Sequence, residues 1–134
     1  MRPLRLPKVR PITYCRTRQL DATEKVCSAI GSTGLYPYAP SDNSKQIFEA
    51  RQFPRSSGYP EDAATGIAAA ALAFGLLRNG LISPTPDLIT IMQGRAMGRL
   101  SEIRVRLGFA GRRTIGCLLS GDVTITSSAT SVNA

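Results

Sequence analysis

The sequence predicts an α+β domain in which a mixed sheet wraps around one buried central helix. The run 63–77 is rich in alanine and contains neither a charged residue nor a proline. It is shorter than the roughly 20 residues that a bilayer-spanning helix needs. Apolar side chains fall on every face of this helix, which indicates that protein encloses it on all sides. Segments that alternate apolar and polar residues, such as 101–107, are typical of the surrounding strands.

Composition limits the chemistry that is open to the chain. A length of 134 residues and a hydrophobic fraction of 43% fit one globular domain without a transmembrane segment. Histidine is absent, which excludes Ser-His and Cys-His nucleophiles and most zinc sites. Cys15, Cys27 and Cys117 lack metal-ligand spacing. We therefore expect free thiols in a reducing, cytoplasmic compartment and no metal.

The positive charge is concentrated at the start of the chain. Six Arg and Lys residues precede the first acid, Asp21, within a net charge of +8. Residues 1–18 are predicted to form a basic, proline-containing arm outside a folded domain of residues 19–126, and residues 127–134 a flexible tail. The arm has three open interpretations: a solvated extension, a targeting segment, or a contact to nucleic acid or an anionic surface.

The elements before the central helix follow from local signals. A helix begins near Leu20, with Asp21 or Thr23 as its cap, and ends at Gly31. A turn is predicted over 40–44, where Pro, Ser, Asp and Asn cluster. Three segments have strand composition, one of them interrupted by Pro37 and therefore placed at a sheet edge. These strands are 12–15, 35–38 and 47–53.

The second half of the chain is predicted to be mostly β. Asn79 and Gly80 end the central helix, and a linker with Pro84 and Pro86 follows. A glycine-punctuated loop, 93–99, separates the first two of four predicted strands. The strands are 88–92, 101–107, 114–119 and 122–126.

The candidate site lies at the start of the central helix. Glu61 and Asp62 precede a helix N-terminus, where unpaired amides and the positive end of the dipole meet. Thr65 and Gly66 offer a hydroxyl and an open backbone to a ligand carboxylate. Structural capping by the two acids remains the plain alternative.

Other segments complete this candidate site. Arg51, just upstream, is a candidate contact for an acidic substrate. Gln93 and Gly94 open a loop that permits close backbone approach, although an ordinary hairpin also needs glycine there. Tyr36, Tyr38 and Tyr59 are interpreted as packing residues, because no nucleic-acid motif accompanies them.

Several blocks together resemble one family. Ala50-Arg51-Gln52-Phe53-Pro54 and the segment from Tyr59 to Gly66 are similar to the "aRmF.P…EDPATGsA" core of PhzF-like isomerases and epimerases of phenazine biosynthesis. Gln93-Gly94 with the segment from Gly98 to Val105 resembles the family's "QG…GRpS.i.V". The segment from Cys117 to Val123 is similar to its closing strand pair. The resemblance covers residues 20–126 in the right order.

The resemblance implies the C-terminal half of a diaminopimelate-epimerase-like fold, a β-roll or barrel-like half around a central helix. It aligns Asp62 with the family's active-site aspartate and Gly66 with a substrate-holding region. Ala63 stands where the family has proline, and Ile67 where it has serine. The family's catalytic glutamate, in an "sETaF"-like segment, and its "GNP" segment do not occur in this chain.

The predicted function is therefore a PhzF-like isomerase or epimerase. It transfers a proton on a small carboxylate-bearing substrate without a cofactor, with Asp62 as the acid/base group. Glu61, Thr65, Gly66, Arg51, Gln93 and Gly94 are its predicted substrate-binding residues. A second copy or a complementary half is expected to complete the cleft, and neither nucleic acid nor a membrane is an expected partner. The alternative is an inactive half-fold, a remnant or partner subunit that keeps the fold without the catalytic glutamate.

Overall fold

A computed structural model describes residues 20–42, 45–55 and 58–124. The predicted arm, the predicted strand 12–15 and the predicted tail 127–134 lie outside these ranges. The proposed domain boundaries therefore remain predictions.

Two helices and seven strands make up the described chain, which confirms the α+β class. The helices are α1 (Leu20–Ile30) and α2 (Gly66–Arg78), and a short 3-10 helix covers Arg95–Met97. The strands are β1 (Gly34–Leu35), β2 (Tyr38–Asp42), β3 (Ile47–Ala50), β4 (Phe53–Pro54), β5 (Leu88–Gln93), β6 (Ser101–Ala110) and β7 (Arg113–Ser120).

Five strands form one mixed sheet in the order β2-β3-β5-β6-β7. β3 and β5 are parallel, with Phe48 opposite Ile91, and the other neighbours are antiparallel. The parallel pair requires a crossover connection, and α2 lies within it. β1 and β4 form a separate two-stranded antiparallel ladder.

The core lies between α2 and one face of the five-stranded sheet. Ala69, Leu72, Ala73 and Leu76 recur at helical spacing and are buried. They belong to one apolar cluster with alternate residues of β5 and β6, whose side chains share a sheet face. The sheet side of this cluster includes Phe48, Ala50, Ile89, Ile91, Ile103, Val105 and Leu107.

The sheet does not enclose α2, contrary to the prediction. Ile67 is 85% exposed and Phe74 is 38% exposed, so the outer face of the helix is open. Within the described residues the sheet ends at β2 on one side and β7 on the other, and it does not close into a barrel. The uncharged sequence of α2 shows that every face of the helix could be buried. The number of strands in the sheet decides which of these faces is covered.

Four local predictions need correction. The predicted strand 35–38 is interrupted, since Leu35 ends β1, Tyr38 begins β2, and residues 36–37 are in no strand. The predicted strand 47–53 is divided, because β3 pairs with β2 and β5 in the five-stranded sheet, whereas β4 pairs with β1 in the separate ladder. The predicted turn 40–44 is wrong for residues 40–42, which belong to β2, and residues 43–44 lie outside the described ranges. Residues 122–124 of the predicted strand 122–126 are not in a strand, and the rest lies outside the described ranges.

The other predicted elements are confirmed with small shifts of boundary. α1 spans the predicted helix and ends where the Ser32 amide donates to the Cys27 carbonyl at 2.8 Å. α2 begins at Gly66, three residues later than the uncharged run, and ends before Asn79 and Gly80. No helix in the described ranges combines the length and apolarity required to cross a membrane.

Candidate functional site

A cleft of about 510 Å³ opens beside the N-terminus of α2. Its walls come from the β1 region, the start of β2, the Gln52–Pro54 segment and the first two turns of α2. Both polar and apolar side chains line it, and several of them derive from distant parts of the sequence. The lining includes Tyr36, Tyr38, Gln52, Tyr59, Asp62, Thr65, Ile67, Ala68 and Ala71.

Asp62 is fixed in the cleft wall by its backbone. Its amide donates to the Gln52 carbonyl at 3.0 Å, in an isolated antiparallel bridge between the two residues. Its Oδ2 accepts a hydrogen bond from Thr65 Oγ1 at 2.5 Å, and its Oδ1 lies 3.5 Å from the Ala64 amide. The carboxylate is therefore held beside the first turn of α2.

Thr65 occupies the N-cap position of α2 but uses its side chain differently from an ordinary cap. Its backbone is extended, with φ −136° and ψ 93°, and its carbonyl accepts from the Ala69 amide at 3.0 Å. The hydroxyl makes no capping bond and instead contacts Asp62. The first-turn amides, which have no partner inside the helix, lie at the positive end of the helix dipole.

Gln93 lies at the end of β5 and is fully buried. Its Nε2 donates to the Asp62 carbonyl at 2.8 Å and to Thr65 Oγ1 at 3.1 Å. Its Oε1 accepts from the Tyr36 hydroxyl at 2.7 Å. Gln93 therefore joins the sheet, the β1–β2 connection and the loop that carries Asp62.

The phenol of Tyr36 is held in its protonated form. Burial, followed by the negative charge of Asp62, raises the pKa of Tyr36 well above the usual tyrosine value. At neutral pH Tyr36 is therefore a hydrogen-bond donor. Tyr36 packs against the core, as predicted. Its hydrogen bond to Gln93 could not be predicted, because the two residues are 57 positions apart in the sequence.

Arg51 and Glu61 form a buried ion pair. Arg51 Nε donates to Glu61 Oε1 and Arg51 Nη2 to Glu61 Oε2, both at 2.8 Å. Each residue is 7% exposed, and the guanidinium lies 4.9 Å from the centre of the Phe53 ring. The pair connects the residue that follows β3 to the residue that precedes Asp62.

Gly94 permits a close approach between the loop after β5 and the segment before α2. Its φ is +81°, and an added Cβ would lie 2.9 Å from the Ala63 carbonyl oxygen and also against the Arg99 carbonyl oxygen. Only glycine combines this conformation with this space. The predicted close backbone approach is thus present, and it is directed at the protein's own Ala63.

The predicted site residues fall into three groups. Asp62 and Thr65 line the cleft, with Gly66 next to Thr65 at the start of α2. Gln93 and Gly94 lie behind them and contact the Asp62–Thr65 segment. Glu61 lines a second cavity on the Arg99 side of Asp62, and Arg51 is paired with Glu61.

Comparison with known proteins agrees with the resemblance drawn from the motifs. The family of phenazine biosynthesis-like proteins, PhzC-PhzF, matches residues 11–129. A segment of 75 residues is 40% identical to trans-2,3-dihydro-3-hydroxyanthranilate isomerase of Pseudomonas aeruginosa. The alignment covers 56% of this chain and 27% of that enzyme, so the chain matches about a quarter of its curated relative. Because the family match spans most of the sequence, this chain belongs to the PhzC-PhzF family of phenazine biosynthesis-like proteins.

Proposed function

We propose that this chain is an isomerase or epimerase domain that transfers a proton on a small carboxylate-bearing substrate, without a cofactor. One observation carries the proposal. Asp62, which the family resemblance aligns with the active-site aspartate, lies in a cleft and receives a short hydrogen bond from Thr65. The relative from Pseudomonas aeruginosa is named as an isomerase, which supports the same reaction class.

The chemistry requires a positioned carboxylate and a place for developing negative charge. In an isomerisation Asp62 removes a proton from one substrate carbon and returns it to another, and in an epimerisation a second group delivers a proton to the opposite face of the same carbon, so the composition of the substrate is unchanged. The first-turn amides of α2, beginning at Gly66, bind the substrate carboxylate and stabilise the charge that develops. The sequence predicts that Thr65 shares this contact with the substrate carboxylate.

The other predicted substrate contacts have a supporting role in this proposal. A direct substrate contact by Arg51 or Glu61 would require the buried ion pair between them to open. Gln93 and Gly94 support the segment that carries Asp62 from behind. These four residues shape the site, and the substrate meets Asp62 and the start of α2.

We propose further that a second copy or a complementary half supplies the other wall. Among the described residues that line the cleft, Asp62 is the single carboxylate. Epimerisation needs a second acid/base group on the opposite face of the reacting carbon. The exposed apolar face of α2 next to the cleft supports an additional protein surface there.

The second candidate is an inactive half-fold. Ile67, 85% exposed in the cleft wall, stands where the family resemblance places a serine, so a hydroxyl is lost from the site. The single carboxylate is equally compatible with a partner subunit that retains the fold without turnover.

Solvent-proton exchange distinguishes the two candidates. The full chain is incubated in D₂O with trans-2,3-dihydro-3-hydroxyanthranilate and with a panel of small hydroxy and amino acids, and NMR detects deuterium on carbon. We expect incorporation that Asp62→Asn reduces by about 100-fold or more. Asp87→Asn is the matched control, because Asp87 also accepts from a threonine, at 2.6 Å, but lies outside the cleft. Equal exchange with Asp62→Asn and wild type would exclude Asp62 as the acid/base group, and no exchange by wild type would favour the inactive half-fold.

A further inference from the structure

We infer that Tyr36, Gln93 and Thr65 form a directional hydrogen-bond relay that positions the Asp62 carboxylate. The inference rests on the proposed function for its effect on turnover, while the relay itself rests on the contacts among these four side chains. It gives Thr65 a role other than the predicted substrate contact and gives Tyr36 a role in the site.

The orientation of the Gln93 amide follows from its partners. The backbone carbonyl of Asp62, 2.8 Å away, can only accept a hydrogen bond, so the side-chain nitrogen of Gln93 must face it. The other end of the amide, Oε1, then faces Tyr36 at 2.7 Å. An amide oxygen cannot donate, so the hydrogen in that contact belongs to Tyr36. Both ends of Gln93 are thus assigned by chemistry.

The direction continues through Thr65. The second hydrogen on Gln93 Nε2 is donated to Thr65 Oγ1 at 3.1 Å. Since Thr65 accepts there, its single hydroxyl hydrogen is available for Asp62 Oδ2 at 2.5 Å. The hydrogens from Tyr36 through Gln93 and Thr65 therefore all point toward the carboxylate.

Two further facts keep the relay in this direction. Gln93 is fully buried, so water does not compete for its amide. Burial and the charge of Asp62 raise the pKa of Tyr36, which keeps its donor hydrogen in place.

The relay leaves the two carboxylate oxygens of Asp62 with different surroundings. Oδ2 is held by Thr65, while the one contact of Oδ1 within the described residues is the 3.5 Å approach of the Ala64 amide. We assign Oδ1 as the oxygen that meets the substrate. Thr65, whose hydroxyl both accepts and donates inside the protein, is a positioning residue.

Thr65→Val tests the relay with two readouts. Valine keeps the shape of threonine and removes the hydroxyl, Thr65→Ser restores it, and Thr85→Val removes a threonine–aspartate bond outside the cleft. The first readout is solvent exchange of the Gln93 side-chain amide protons by ¹⁵N NMR, which needs no substrate. The second is kcat and KM in the D₂O assay, with circular dichroism to verify the fold.

The relay predicts a defined pattern. Thr65→Val accelerates exchange at the Gln93 amide by about tenfold or more and lowers kcat by about 10- to 100-fold, with KM nearly unchanged. Thr65→Ser recovers both, and Thr85→Val resembles wild type in both. If Thr65→Val does not fold, Tyr36→Phe replaces it, since loss of the phenol hydroxyl also accelerates exchange at Gln93.

The opposite results overturn the relay. Unchanged exchange at Gln93 in folded Thr65→Val would mean that no directional bond connects the two residues. A raised KM with an unchanged kcat would make Thr65 a substrate contact. If wild type shows no turnover at all, the proposed function fails, and the Gln93 exchange pattern still decides the relay by itself.

Discussion

Arg51 and Glu61 are the two charged side chains that the described part of the chain buries. Their bidentate contact satisfies both oxygens of Glu61, as burial of a carboxylate requires. Arg51 lies between β3 and β4, and Glu61 is adjacent to Asp62. The pair thus fixes the position of the Asp62 loop relative to the sheet.

Arg51→Met is expected to lower the free energy of unfolding by about 3–5 kcal/mol, because Glu61 is left buried without its partner. Arg51→Met with Glu61→Met removes the unpaired charge and should recover much of that loss. Urea denaturation measures both. Arg95→Met is the control: its ion pair with Glu49 is also short, 3.0 Å, but the Arg95 side chain is 48% exposed, so a change below about 1 kcal/mol is expected. Equal losses for Arg51→Met and Arg95→Met would contradict a burial-dependent role.

Gly94 determines how the loop between β5 and β6 packs against the start of α2. Gly94 and Gly98 flank the 3-10 helix, and both adopt left-handed backbone conformations. The Gly94 carbonyl also accepts from the Met97 and Arg99 amides, at 3.0 and 3.1 Å. The two glycines differ in their surroundings, since an added Cβ at Gly98 meets nothing within 4 Å.

Gly94→Ala is expected to destabilise the fold by about 2–5 kcal/mol, the sum of left-handed strain and a steric conflict with the Ala63 carbonyl. Gly98→Ala, with a similar φ but open space, should lose about 1–2 kcal/mol from strain alone. Thermal denaturation compares the two. If both variants lose the same amount, the close approach to Ala63 has no energetic weight.

On the scale of the whole molecule, the open outer face of α2 is the feature most relevant to assembly. Ile67 and Phe74 lie two helical turns apart on one exposed face. The helix has no charged residue before Arg78, so this face carries no polar group suited to water. A second protein surface over α2 is therefore part of the proposed function.

If a second copy covers α2, the purified chain should have twice the mass of one 14.4 kDa chain by light scattering. Ile67→Glu should shift the mass toward one chain, since a buried carboxylate at the interface is unfavourable. Its effect on the isolated domain should be small, because Ile67 is exposed and an acid suits a helix N-terminus. Val123→Glu, at a residue 89% exposed outside α2, is the control. A monomeric wild type would exclude self-association and leave a complementary half as the proposed partner.

Local sequence was sufficient to predict most helices and strands, because hydrophobic periodicity and glycine are signals that lie within a few residues of each element. α1, α2, β5, β6 and β7 all occur close to their predicted positions. The division of the predicted strand 47–53 could not be foreseen, because its two parts pair with strands from distant parts of the chain, β3 with β5 and β4 with β1.

Local patterns in the sequence were sufficient to predict the α+β class, the family, and the position of Asp62 and Thr65 at the start of a helix. The tertiary structure was needed to show that α2 has one covered and one open face, because the coverage depends on how many strands reach the helix. It also decided the partners of Asp62. Gln93, at the end of β5, donates to the Asp62 carbonyl and to Thr65, and Tyr36 donates to Gln93 from the β1–β2 connection. No local pattern encodes a contact made across 57 positions of chain.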